Sequence, residues 1–148
     1  MNERYFEDVD FGDEVAAEWT ATRDEVAAYL KAESDALGRG GGGRFLDADG
    51  ARALGFPAPI VPGALSMAHL TRLITDWMGA HGWLESIDVD YRRPVLHDDH
   101  VRAIGLVTDA EEVDGRGRVR LDVYLENDRG ERPLQGVATV TLPRRGKE

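Results

Sequence analysis

Apolar residues follow two different periods along this chain, and the change from one to the other near residue 80 separates a helical first half from a stranded second half. Glu14 to Ala21 alternates weakly and predicts a short strand. Thr22-Arg23-Asp24-Glu25 then fits a capping box, with Thr at the N-cap and Glu at N3, and opens a helix through about Ser34 that carries Val26, Tyr29 and Leu30 on one face. The run Gly38 to Arg44 has too little side chain to pack and predicts a mobile loop. Asp47 is placed to cap a short helix ending at Gly55, after which Pro57, Pro59 and Pro62 force an extended segment.

From Gly63 to about Met78, the apolar residues Leu65, Met67, Ala68, Leu70, Leu73, Ile74, Trp77 and Met78 cover most of a helical circumference. They leave a narrow polar stripe of Ser66, His69, Arg72 and Asp76, so this helix is predicted to be largely buried. Ile87/Val89/Tyr91, Val101/Ala103/Gly105, Val119/Leu121/Val123/Leu125 and Ala138/Val140/Leu142 then alternate as half-buried strands do. Asp114-Gly115 and Asn127-Asp128-Arg129-Gly130 sit where hairpin turns are needed. The order predicts an α+β fold in which an antiparallel sheet wraps one central helix.

At 148 residues the chain is read as one domain, 1–148, with no internal repeat. It has no cysteine, so its stability rests on packing and no thiolate metal site can form. The formal net charge of -10 argues against a nucleic-acid partner, and the longest apolar runs are too short to span a bilayer, so a cytoplasmic protein is expected. An anionic ligand remains compatible through local arginines, of which Arg39, Arg44, Arg92 and Arg93 are available. His97-Asp98-Asp99-His100 falls at a turn between strands, where a solvated turn is favoured over metal ligation. The glycine run has no Lys-Ser/Thr after it and is no phosphate loop. Neither a metal nor another cofactor is expected.

The most informative segment is Asp47 to Gly63, whose frame Asp-x-x-x-Ala-x-x-x-Gly-Phe-x-x-Pro-Ile-x-x-Gly resembles the defining segment of the MaoC-like (R)-specific enoyl-CoA hydratases. Tyr91-Arg92-Arg93-Pro94-Val95 followed by Asp99 is similar to a second element of that family, with Asp98 standing where Gly is usual. The resemblance runs from about Tyr5 to Leu142. It implies a single hotdog fold, an acyl thioester substrate on coenzyme A or a carrier protein, and pairing with a second hotdog as a homodimer or heterodimer. It also implies an upstream Asp-x-Asn-Pro-x-His motif. Counting back from Asp47, the His position falls on Phe45 and the Asp position on Gly40.

A phenyl ring cannot take a proton, so the acid–base group is sought in carboxylates near the glycine run: Asp35 first, because it lies closest to that run, then Glu33 and Asp47. Their structural alternatives are a solvated helix end for Glu33 and Asp35 and a helix cap for Asp47. Gly63 matches the helix start whose backbone N–H holds the thioester oxygen in the family, and Pro62, Ala64, Phe45 and Arg44 are expected beside the substrate. His69 is read as a structural or supporting histidine. Three functions stay open: a hydratase or dehydratase relative with a non-standard site, a thioester-binding or partner subunit without its own chemistry, and a hotdog recruited to thioester hydrolysis or a biosynthetic cyclisation.

Overall fold

The computed structural model describes residues 2–38 and 43–146. After a 3-10 turn at Phe6–Asp8, the elements run β1 (Glu14–Thr20), α1 (Arg23–Leu37), α2 (Gly43–Leu46), α3 (Ala48–Ala53), α4 (Gly63–Met78), β2 (Trp83–Tyr91), β3 (His100–Val113), β4 (Arg116–Asn127) and β5 (Leu134–Leu142). The strands form one antiparallel sheet in the order β1-β3-β4-β5-β2. Helix α4 touches all five strands, which places it inside the curve of the sheet, the hotdog arrangement expected from the sequence.

The alternation read from sequence sets the sheet's inner face. Val119, Leu121, Val123 and Leu125 of β4 and Ala138, Val140 and Leu142 of β5 are all buried, against Leu70, Leu73 and Ile74 of α4. Gly105 leaves room for neighbouring side chains: a Cβ there would stand 3.2 Å from Ile74 Cδ1 of the helix and 3.1 Å from Val15 Cγ1 of β1. The β3–β4 hairpin turns on Asp114 and Gly115, both at positive φ (52° and 79°), the pairing that suits a two-residue hairpin loop.

Four local expectations change. Helix α1 runs on to Leu37 and ends at Gly38, whose left-handed conformation (φ 68°) sends its N–H back to Ser34 O. Of the predicted Gly38–Arg44 loop, Gly43 and Arg44 already belong to α2, and positions 39–42, with Gly40 and Arg39 among them, lie outside the described residues. Ser66, one of the four residues of the predicted polar stripe, is 2% exposed, whereas Arg72 and Asp76 of the same stripe are exposed. Asp99, expected in a solvated turn, is 8% exposed, since Arg129 grips it from the β4–β5 turn at 2.9 and 3.1 Å while Leu96 N–H donates to it at 3.0 Å. No helix among the described residues is long and apolar enough to cross a membrane.

Candidate functional site at the start of the central helix

The proline-rich segment delivers the chain to α4 with Pro62 as N-cap, its carbonyl accepting from Leu65 N–H (3.0 Å) and Ser66 N–H (3.2 Å). The N–H groups of Gly63 and Ala64 have no acceptor among the described residues, and they lie at the positive end of a 16-residue helix. Tyr91, at the end of β2, covers this point: its hydroxyl donates to Gly63 O at 3.3 Å, and a Cβ on residue 63 would stand 3.0 Å from the ring. A cleft of about 320 Å³ opens beside them.

Four stretches of chain meet in that cleft. Arg44 and Phe45 come from α2, Ile60, Val61, Gly63 and Ser66 from the approach to α4 and its first turn, Tyr91 to Val95 from the end of β2, and Leu134 from β5. Its lining joins apolar side chains to three arginines. The Arg44 guanidinium lies 4.4 Å from the Phe45 ring centroid, a cation–π contact between two lining residues. Arg93 is tied to Glu131 at 3.0 Å, and Glu131 is in turn bound by Arg129 (2.9 Å) and by the Asn127 amide (3.1 Å). The Asn127 amide, then the Arg129 guanidinium, hold the Glu131 carboxyl below the usual carboxylate range, so it stays an anion that fixes Arg93.

Of the substrate-side residues read from sequence, Gly63, Phe45 and Arg44 come together here, Pro62 caps the helix, and Ala64 occupies its exposed first turn. The carboxylates are engaged elsewhere. Asp47 caps α3, accepting from Asp49 N–H (3.2 Å) and Gly50 N–H (3.1 Å); Asp35 pairs with Lys31 at 2.9 Å in the exposed last turn of α1; Glu33 accepts from the Tyr29 hydroxyl at 3.0 Å. None of the three lines the cleft, and no carboxylate or imidazole is found among its described lining residues.

Sequence reasoning named Arg92 and Arg93 only as available charges, and it missed Tyr91 and Ser66 as cleft residues. The Tyr-Arg-Arg-Pro-Val element carried a signal for the first. Nothing local to Ser66 distinguishes it from the other polar residues of its stripe.

The family model described as "MaoC like domain" matches residues 46–128, more than half of the chain. Among solved structures, the (R)-hydratase from A. caviae involved in PHA biosynthesis superposes with a TM-score of 0.77 at 24% identity, covering 91% of this chain and 98% of that one. R-hydratase PhaJ1 from Pseudomonas aeruginosa gives 0.79 at 20% identity, covering 95% and 86%. The ChsH1-ChsH2 complex from Mycobacterium tuberculosis gives 0.72 at 20% identity, covering 92% and 99%. At these identities the likeness is one of fold. No curated protein matches the chain.

Proposed function

This chain belongs to the MaoC-like domain family, and from that premise we propose that it is one hotdog domain, 1–148, that takes an acyl thioester into the cleft at the start of α4 as a hydratase or dehydratase relative with a non-standard acid–base site. The observation that carries the reading is that Arg44, Arg92 and Arg93 line the same cleft as Gly63, at a helix start where the N–H groups of Gly63 and Ala64 have no acceptor among the described residues. The N–H groups suit a thioester oxygen on which negative charge develops. The guanidiniums suit the phosphates of coenzyme A or of a carrier's pantetheine arm. Phe45, Val61, Val95 and Leu134 offer an apolar lining for the acyl part.

Hydration of an enoyl thioester adds hydroxyl to the β-carbon and a proton to the α-carbon, so it needs one group to take a proton from water and one to deliver a proton. Phe45 can do neither. Although none of them lines the cleft, Glu33, Asp35 and Asp47 are the carboxylates we propose for this work, with Asp35 first. A second reading is favoured by the lack of any carboxylate or imidazole among the described cleft residues: the chain is the binding partner of a catalytic hotdog, as the complex of ChsH1 with ChsH2 is also an assembly of two proteins. The outer edge of β2, which pairs with no other strand among the described residues and ends at the cleft residue Tyr91, is the surface on which either a second copy or a different hotdog would pair.

Calorimetry with crotonyl-CoA, together with loss of its enoyl absorbance, tests both. Binding with hydration slowed by roughly 10²–10⁴-fold relative to an enzyme carrying both groups is expected of the chain alone. Turnover at an ordinary enzymatic rate sinks the partner-subunit reading, and Glu33→Gln, Asp35→Asn and Asp47→Asn then identify the working carboxylate. Absence of binding, alone or with a catalytic hotdog, overturns the thioester reading.

A further inference from the structure

The charge carried by β2 distinguishes between the two occupants of its outer edge. Ile87 and Val89 pack against the core, so Asp88 and Asp90 stand together on the opposite, outer face of the same strand. Both are exposed, and neither carboxylate has a partner among the described residues. Glu85, the third carboxylate of β2, is already engaged by the Thr141 hydroxyl and by Arg118 Nε at 3.4 Å. The next bases along the chain, Arg92 and Arg93, lie past the end of the strand and line the cleft.

A groove of about 410 Å³ opens on the outer face beside the two aspartates, lined also by Ser86, Thr139 and Arg120. Arg120 belongs to β4, two strands in from the edge, and makes no ion pair with either aspartate. Aromatic surface flanks the strand: Trp83 at its start is 69% exposed and Tyr91 at its end 56%. A strand with an open edge and uncovered apolar side chains at both ends is a template for another strand.

A second copy meets this edge with its own acids. Two copies related by a twofold axis through the edge pair antiparallel, and residues directly opposite share a face. Centred on Asp88, the pairing sets Asp88 against Asp88 of the second copy. Centred on Val89, it sets Asp88 against the second copy's Asp90. Centred on Ile87, it sets Asp88 against Ser86 and diagonal to the second copy's Asp88. Every one of these central registers therefore brings like charges together with no base between them.

We propose that the β2 edge takes a different hotdog chain whose own edge strand carries lysine or arginine on its outer face, so that this chain is the acidic half of a heterodimer. The partner's bases lie opposite Asp88 and Asp90 and extend over Ser86 and Thr139 into the groove. Opposite charges across a strand pair stabilise it and like charges destabilise it, so the same two aspartates favour one partner and disfavour the other. The inference rests on the pairing role proposed above for this edge, and not on thioester binding.

The probe is this chain with its edge charge reversed, Asp88→Lys/Asp90→Lys, mixed in equal amounts with the ¹⁵N-labelled full chain. Native mass spectrometry then separates the mixed pair from both self-pairs by mass. At low salt the mixed pair is expected to form at a concentration about tenfold lower than the wild-type self-pair, and added salt should narrow the gap. Should the reversed variant fail to fold, Asp88→Asn/Asp90→Asn removes the repulsion alone, and its self-association, read by sedimentation, is expected to exceed that of the wild type. No thioester is present in either measurement, so a failure here is distinct from a failure of the reading of the cleft. A mixed pair at only its statistical share overturns the proposal, as does self-association unchanged by the asparagines or the absence of any pair at high micromolar concentration.

Discussion

The Tyr91 ring lies against the backbone of Gly63, so close that a Cβ there would stand 3.0 Å from Tyr91 Cε1, while the phenol hydroxyl donates to the carbonyl of the same residue at 3.3 Å. Tyr91 and the glycine therefore shape the cleft as a pair. Gly63→Ala is expected to push the exposed ring outward by a few tenths of an ångström and so to offset part or all of the roughly 1 kcal/mol that alanine gains as the better helix former. Removing the ring should remove the offset: in a Tyr91→Ala background the same substitution is expected to be stabilising. Urea unfolding of the four proteins measures this, and an equal cost in both backgrounds would show that some other contact requires the glycine.

Leu70, fully buried on α4, packs within the core that the sheet closes around. Leu70→Ala is expected to lower unfolding stability by about 2–5 kcal/mol. A loss of only a few tenths would place the helix at the periphery.

Arg92 and Arg93 should act on the charged part of a ligand and not on its acyl part. Arg92→Ala and Arg93→Ala are each expected to weaken crotonyl-CoA while leaving a short pantetheine thioester that lacks the nucleotide phosphates nearly unchanged, and added salt should narrow the difference. Glu131→Gln should mimic Arg93→Ala in part, because Glu131 holds that guanidinium at 3.0 Å. Equal losses for both ligands would remove the phosphate role.

The edge position of β2, with Trp83 at its start 69% exposed, leads to an expectation of assembly. Sedimentation at micromolar concentration should show a dimer, or poor behaviour alone with recovery on adding a catalytic hotdog. A well-behaved monomer would count against both the enzyme and the partner-subunit readings.

Acid should loosen the junction of the chain's two ends. Glu7 is held below the usual carboxylate range first by the Arg145 backbone N–H, and Asp8 first by the Tyr5 N–H, with Arg144 and Arg145 adding to each in turn. A carboxyl whose folded value lies below its unfolded one favours the folded state above the unfolded value, and that contribution is lost as the pH falls through the folded value. Stability should therefore decline on acidification through and below the carboxylate range. A Glu7→Gln/Asp8→Asn protein should show a flatter decline, and superimposable profiles would exclude these groups as a cause.

The sequence by itself determined the long helices and the strands and the apolar face that each turns inward, though not α2. The broad apolar arc of Gly63–Met78 and the alternation through Val119–Leu125 and Ala138–Leu142 are local patterns, and burial follows them because a helix or strand turns its apolar side inward wherever it packs. Asp114-Gly115 was legible for the same reason, its backbone preference lying within two residues. The frame from Asp47 to Gly63 carried the family, and with it the place of the helix start. Only the tertiary structure decided the polar partnerships. Glu25 follows a local capping rule as a sequence, yet it bonds to His69, 44 positions away; Asp99 looks like a wet turn residue until Arg129 arrives from 30 positions along. The cleft itself is assembled from four separated stretches. A polar side chain's best partner is set by what the fold brings within about 3 Å of it, and no periodicity along the chain encodes that distance.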